Sequence, residues 1–230
     1  MDQRFLDEIV CRKPELFKAI VDFNSSRLMR SDEQPAPAPG TLRNALLSDP
    51  LIRKALGRAP APGTADCWWD FSDETCRLLL IENSTLKRAA LSFCAAVYAE
   101  ELALVLDRMQ VLELRRLLGE EIFTYALRRG RYQIGSLRPF LTSQLPSGSL
   151  AERIARLAPS ILIRLADGWP EQLQRLWTAK LRDALLLAEA ADKTETALPP
   201  LSREQRRALW FTFKKLLLRE AAPQWAPCFD

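Results

Sequence analysis

The fold is decided by the stretch from Thr85 to Leu118, which reads TLKRAALSFCAAVYAEELALVLDRMQVLELRRLL. It contains neither glycine nor proline, and over residues 89–106 it is apolar on nearly every side of a helix. A helix that is apolar all round has to be surrounded by protein, so we place this one in the middle of the core. One straight rod of this length would not fit a domain of this size, so we expect a break near residues 107–110.

Helix signals continue towards the C-terminus. Acidic residues behind Ser72 predict a helix start, and Gly119 and Gly130 are expected to close two short helices. A segment rich in Gly, Pro and Ser over residues 130–148 predicts a loop. Three further helices are predicted from SLAERIARLAPSILIRLA, PEQLQRLWTAKLRDALLLAEA and SREQRRALWFTFKKLLLRE, the last beginning with a capping box of Ser202 and Gln205.

The first part of the chain has a different character. Residues 31–41 and 57–66 are Pro/Ala-rich and read as extended linkers, with a short helix predicted between them. Before them, a helix restarting at Pro14 carries Leu16, Ile20, Val21 and Phe23. No stretch shows sustained strand alternation. We therefore predict an all-α fold: a compact irregular multi-helix domain over residues 67–230, with short helices and linkers of residues 1–66 packed on it or tethered to it.

Composition excludes much catalytic chemistry. The 230 residues include no histidine, which removes Ser-His-Asp and Cys-His catalysis and HExxH zinc sites. The phosphate-binding patterns GxxxxGK[ST] and GxGxxG are also missing from the sequence. The carboxylate pairs at residues 100–101 and 120–121 are adjacent on helices, so their side chains point about 100° apart. We expect no catalytic residue, no cofactor and no metal, although an enzyme with an isolated Asp, Glu or Lys site stays an alternative.

The cysteines and the N-terminus bear on the compartment. There are five cysteines, an odd number without a CxxC pair, and Cys76 and Cys94 lie in apolar helical stretches. This favours reduced, buried thiols over disulfides or a zinc site. The N-terminal sequence MDQRFLDEIV lacks the pattern of a signal peptide, and the longest uncharged apolar stretch is too short to span a membrane. We expect a cytoplasmic protein that is a monomer in isolation.

The last predicted helix has two faces. Its core face is expected to hold Leu209, Trp210, Phe213, Leu216 and Leu217. On nearly the opposite side, two apolar residues lie next to a basic row. The basic row and these two apolar residues could together dock an acidic partner, a membrane surface or a phosphate backbone. The row consists of Arg203, Arg207 and Lys214, and the apolar residues are Phe211 and Leu218. The alternative is that another helix or the aromatic tail covers Phe211 and Leu218.

A second basic cluster is the sequence RRGRY, made by Arg128, Arg129, Gly130, Arg131 and Tyr132. It is a candidate partner site, although cations at a helix C-terminus are also favoured by the helix dipole alone.

Two groups of aromatic residues lie near the ends of the predicted main domain. The pair Trp68–Trp69 is interpreted as a core anchor. Trp225 and Phe229, on a tail broken by proline, either fold back as a plug or contact a partner.

The middle of the chain resembles the SctK family, the YscK- and HrpB-type accessory proteins of bacterial type III secretion systems. The similarity is carried by LLLIENSTLKRAALSFCAAVYAEELALVLDRMQVLELRRLLGEEIFTYALRRG, in which an apolar helix is followed by short Leu-rich helices, an LG step and an aromatic-bearing helix. Weaker similarity to the family is found in the segment DFNSSRLM and in the aromatic, Cys-containing C-terminal tail. The strong part covers residues 78–130, and no interface motif is matched residue by residue.

The resemblance implies a non-enzymatic cytosolic adaptor in protein transport and virulence. Such a protein links the cytosolic ring protein (SctQ type) and its ATPase complex to the inner-membrane ring (SctD type), at the cytosolic face of the inner membrane. It is peripheral to the membrane and is not expected to bind nucleic acid. The runner-up is a helical nucleic-acid-binding or regulatory protein that uses the C-terminal basic helix, against which the net charge of only +4 argues.

Overall fold

The computed structural model describes residues 9–28, 68–135, 137–143, 148–183 and 198–229. No described residue lies in a β-strand, and the chain is all-α as predicted. The α-helices are α1 (Pro14–Leu28), α2 (Asn83–Val97), α3 (Ala99–Leu104), α4 (Arg108–Leu118), α5 (Glu120–Arg128), α6 (Leu137–Ser143), α7 (Leu150–Leu165), α8 (Glu171–Asp183) and α9 (Arg203–Leu216). Shorter 3-10 helices cover Glu74–Leu80, Gly130–Tyr132 and Pro223–Cys228, and a π-helix covers Leu217–Ala221.

The described residues form two units. The first contains residues 9–28, 68–80 and 227–229, and the second contains those between Ile81 and Ala226. The predicted boundary at residue 66, both Pro/Ala-rich linkers and the helix between them lie outside the described residues. The division into residues 1–66 and 67–230 therefore stays a prediction.

In the second unit, α2 is the central helix. Every residue from Ala89 to Val97 is buried, and α2 packs against α5, α7, α8 and α9. Small side chains make this possible, because a helix with many alanines lets its neighbours approach closely. The prediction of a core helix at this place is confirmed.

The expected break in the decisive stretch is also confirmed. Tyr98 interrupts the helix once, and α3 then ends at Leu104. Asp107 has extended backbone angles and accepts a hydrogen bond from the Gln110 amide at 2.9 Å, which makes it the N-cap of α4. The core prediction for residues 89–106 was wrong at its end, since Leu104 and Leu106 are 78% and 93% exposed. They lie where the chain leaves the core to turn between two helices.

Three local predictions differ from the structure. The segment after Ser72 forms a 3-10 helix and not an α-helix. The predicted loop over residues 130–148 contains α6, whose proline at 139 lies in the first turn, where a missing amide costs no helical hydrogen bond. Gly119 does end α4 with a φ of 78°, but Gly130 lies within a 3-10 helix and packs closely on the central helix, since an added Cβ would stand 3.1 Å from the Cα of Ala96.

The first unit is built around aromatic and backbone contacts. Phe23 meets the buried ring of Phe71 edge-on, with centroids 5.7 Å apart. The buried Asn24 side chain both donates to the carbonyl of Trp68 and accepts from its amide, each at 2.9 Å. Trp68 and Trp69 are only half-buried. The anchoring aromatic ring of this segment is therefore that of Phe71.

The C-terminal residues belong to the first unit. Phe229 is fully buried, so of the two predicted alternatives for this ring the structure shows the plug. The buried Arg77 holds this segment, because its guanidinium donates to the carbonyl oxygens of Phe71 at 3.0 Å and of Cys228 at 2.9 Å. Trp225, which belongs to the second unit, is half-buried.

Candidate partner-binding surfaces

Helix α9 begins at the predicted capping box. The Ser202 hydroxyl accepts from the Gln205 amide at 3.2 Å, and the Gln205 side chain accepts from the Ser202 amide at 2.9 Å. From this start the helix buries Leu209, Phe213 and Leu216, and Leu217 follows in the π-helix. Four of the five predicted core residues are thus buried, whereas Trp210 is half-buried.

The opposite face of α9 carries the predicted basic row. Arg203 and Arg207 are exposed, and Phe211 beside them is 69% exposed. Lys214 and Leu218 are half-buried. A large aromatic ring that stands in water next to arginines is the composition that protein interfaces prefer, because aromatic and arginine side chains are enriched there. The part of this surface around Phe211 is therefore open to a partner.

The RRGRY cluster follows the end of α5. All four of its side chains are exposed, and Tyr132 is 70% exposed. The Arg131 guanidinium carbon lies 4.6 Å from the centroid of the Tyr132 ring, a cation–π contact. The Arg131 carbonyl accepts a hydrogen bond from Arg138 at 2.7 Å, which fixes the backbone of the cluster. The structure thus places the predicted residues together on one exposed turn.

A groove lies beside this cluster. Its volume is about 460 Å³. The residues that line it come from α5 and the chain that follows it, together with one residue of the π-helix: Glu120, Glu121, Thr124, Tyr125, Arg128, Arg129 and Glu220. The π-helix is closed by the Ala222 amide, which donates to the Leu217 carbonyl at 2.7 Å. Such wide turns are rare and are often found at functional sites.

The groove offers hydrogen-bond donors. The buried Tyr125 hydroxyl has no hydrogen-bond partner among the described residues. Burial, and secondarily the charge of Glu220, raises the pKa of Tyr125 to about 12, so the hydroxyl keeps its proton at neutral pH. Arg128 and Arg129 form no ion pair with any described residue. The two exposed guanidinium groups fit a carboxylate on a bound segment, whereas the Tyr125 hydroxyl is closed off from solvent.

The adjacent carboxylates are held apart by separate arginines. Glu120 pairs with Arg115 at 3.5 Å and Glu121 pairs with Arg88 at 2.8 Å. In α3, the carboxylates of residues 100 and 101 pair with Arg138 and Arg153 respectively. Each pair is therefore split between two partners, as expected for neighbouring residues of one helix.

The cysteine thiols that the structure describes differ in exposure. Burial raises the pKa of Cys76 to about 12 and also raises the pKa of Cys94, so both thiols stay protonated. The Cys11 thiol is exposed. In the part of the chain that the structure describes, no group of three or more Cys, Asp or Glu residues could hold a metal ion. None of the described helices is both long enough and apolar enough to pass through a bilayer.

One half-buried lysine was not singled out in the sequence. Lys180 of α8 donates a hydrogen bond to the carbonyl of Ile81, just before α2. Burial lowers the pKa of Lys180 to about 8, although Glu82 opposes the shift. Lysine is common on exposed helix faces, so Lys180 is distinguished from other lysines only by the residues that surround it in the fold.

An exposed apolar surface, which the sequence did not indicate, lies around the α3–α4 connection. Leu104, Leu106, Met109 and Leu112 are 78%, 93%, 71% and 50% exposed, within nine consecutive residues around the α3–α4 connection. Apolar periodicity indicates that a residue is in a helix, but it does not say that a partner helix covers it. We call these four residues the connection patch.

Comparison with known proteins gives no family. No protein-family model, no curated protein and no solved structure matches this chain. What can be said of its function therefore comes from its own residues and from the pattern of the 78–130 segment.

Proposed function

We propose that the protein is a non-enzymatic adaptor of a bacterial type III secretion system. It links the cytosolic ring protein and its ATPase complex to the inner-membrane ring, and it acts at the cytosolic face of the inner membrane. The observation that carries the adaptor role is the exposure of Phe211 beside Arg203 and Arg207. The type of secretion system rests on the resemblance of residues 78–130 to the SctK family.

A second surface supports the same role. The RRGRY turn and the groove beside it present Arg128 and Arg129, which are exposed and form no ion pair with any described residue. A bound segment that carries a carboxylate would pair with them. Two separate surfaces suit a protein that joins two partners.

The test is a tagged pull-down from the native cell, with proteins and nucleic acid both quantified. We expect recovery of the ring protein with its ATPase complex, and its loss when Arg203, Arg207 and Lys214 are each changed to Glu. The matched control changes Lys87, Arg156 and Arg182 to Glu, which are exposed residues of other helices. Both triple variants change the net charge by the same amount. A difference in recovery between them therefore reports a local role of the basic row. Undiminished recovery with the first variant would remove that face from the proposal.

The same row supports a second candidate, a protein that binds nucleic acid. Arg203 and Arg207 are exposed on successive turns of α9, a spacing that suits phosphate contacts. This candidate predicts recovery of DNA or RNA without ring components. It also predicts that affinity falls steeply between about 50 and 200 mM salt.

A further inference from the structure

The connection patch is the most exposed apolar surface of the described residues. Scattered apolar side chains are normal on protein surfaces, but four large ones in nine residues need a reason. Three of them are more than 70% exposed. Water contact with this area costs free energy in proportion to the apolar surface, and a partner that covers it recovers that free energy.

Helix α4 shows how the patch is oriented. At 100° per residue, the buried Leu114 and Leu118 lie within about 40° of each other and define the inner face. Met109 and Leu112 lie on the side of α4 that faces away from them. The outer face of α4 therefore carries an apolar stripe that the described residues leave uncovered.

Arginines stand at both ends of this stripe. Arg108 and Arg116 are exposed, share the outer face with Leu112, and form no ion pair with any described residue. They are eight residues apart, or about 12 Å along the axis. Arg108 also lies in the first turn of α4, where the helix dipole disfavours a cation. The carboxylate of Asp107 caps this helix end by accepting from the Gln110 amide, so a carboxylate supplied by a partner would be the group that neutralises Arg108.

The charges around the stripe disfavour two other occupants, a second copy of this chain and an anionic membrane. In a second copy packed antiparallel on the same face, Arg108 would stand opposite Arg116, and in a parallel pair each arginine would face itself. An anionic membrane is a continuous negative surface, so it would also meet the carboxylates of Asp107 and Glu113, which are exposed at the edge of the patch, whereas a single helix can place its carboxylates opposite the two arginines alone. Neither arrangement neutralises the two arginines without adding repulsion.

We infer that the connection patch and the outer face of α4 dock an amphipathic helix of a partner protein, one with an apolar stripe flanked by acidic residues. The stripe packs on the patch, and two carboxylates about two turns apart pair with Arg108 and Arg116. The inference rests on the proposed function in one respect only, namely that this protein works by binding other proteins.

The test uses the full chain and a synthetic helical peptide. The peptide has a leucine stripe flanked by glutamates, and its twin has lysine at every glutamate. By fluorescence anisotropy at low salt, we expect the acidic peptide to bind about tenfold more tightly, because two rim ion pairs each contribute modestly. The preference should shrink at high salt.

Two variants make the test specific. R108E/R116E should reverse the preference between the peptides, and M109D/L112D should abolish binding of both. All four residues are exposed, so the fold is retained. The control R156E/R182E makes the same change of net charge elsewhere and should leave binding unaltered.

Four results would overturn the inference. They are equal binding of both peptides, an unchanged preference in R108E/R116E, preferential binding to anionic vesicles, and self-association that M109D/L112D removes. Recovery of ring components in the pull-down is measured independently. A failed peptide test with a successful pull-down rejects the docking site alone, and the opposite pair of results rejects the secretion-system assignment alone.

Discussion

The guanidinium of Arg77 donates a hydrogen bond to the carbonyl oxygen of Cys228 at 2.9 Å, across 151 positions of sequence. The same side chain donates to the Phe71 carbonyl, and it is buried. One arginine thus joins the last residues of the chain to the 3-10 helix of the first unit.

Replacing Arg77 by methionine should therefore destabilise the first unit. Arg77→Met leaves two buried carbonyl groups without their donors, and we expect the free energy of unfolding to fall by about 2–4 kcal/mol. Urea denaturation gives this value, with Arg182→Met as the control for an exposed arginine, which should change it by less than about 0.5 kcal/mol. Equal effects of the two variants would show that Arg77 does not hold the C-terminal residues.

Lys180 predicts a dependence of stability on pH. Its pKa is about 8 in the folded protein against an ordinary value of 10.5, so between these values the unfolded chain binds more protons. Stability contributed by this group therefore rises as the pH increases from about 8 to 10.5, by up to about 3 kcal/mol. The raised pKa of Cys94 acts in the opposite direction, because the folded state keeps that proton.

A comparison with Lys180→Met isolates the lysine. The difference in free energy of unfolding between the two proteins should change across this pH range, while the contribution of the cysteines cancels. Unfolding curves in denaturant at several pH values measure it. A difference that stays constant with pH would contradict the lowered pKa of Lys180.

Gly130 should not tolerate a side chain. In Gly130→Ala the new Cβ would lie 3.1 Å from the Cα of Ala96, which is backbone of the buried central helix, so the two segments would have to separate by a few tenths of an ångström. We expect a loss of about 1–3 kcal/mol in unfolding free energy. Gly119→Ala is the contrasting variant, because there the space is open and the cost comes from the backbone, whose φ of 78° and ψ of 157° lie in a region that is essentially restricted to glycine, at about 1–3 kcal/mol. Thermal melts should show a loss of stability for both variants, and an unchanged melting temperature of Gly130→Ala would contradict the close approach to Ala96.

The thiols should react in a fixed order. Cys11 is exposed, whereas Cys76, Cys94 and Cys228 are buried, and burial raises the pKa of each of these three thiols. Because the thiolate is the reactive form, a maleimide should label Cys11 in the native protein and the three buried thiols only after unfolding. Mass spectrometry of the labelled peptides would read the order, and rapid native labelling of Cys94 would contradict it.

Sequence reasoning succeeded where one short pattern determines one local geometry. The capping box of Ser202 and Gln205 depends on two side chains three residues apart. The break near residue 107 was predicted only from the length of the apolar stretch, and the cap that Asp107 forms there was not predicted. Helix α6 was missed because its glycine- and proline-rich surroundings suggested a loop, although a proline in the first turn does not prevent a helix.

The surfaces were harder to predict than the helices. Phe211 could be placed on the outer face from its angle in α9, but Leu104 and Leu106 resemble core residues in every local respect. Whether an apolar residue is covered depends on elements distant in sequence. The Tyr125 hydroxyl, which has no hydrogen-bond partner among the described residues, likewise has no sequence signal, since the groove that Tyr125 lines is formed by chain segments nearly a hundred residues apart.

The wide turn at Leu217–Ala221 makes this part of the chain sensitive to length. In an uninterrupted α-helix, Glu220 would lie within about 20° of Phe213, at the centre of the buried face. The extra residue in the π-helical turn rotates Glu220 away from the buried face, so that Glu220 lines the groove instead. Deleting one residue from this turn would move one side chain from the core to the groove and another from the groove to the core. A single deletion would therefore alter both surfaces, whereas most substitutions would alter only one.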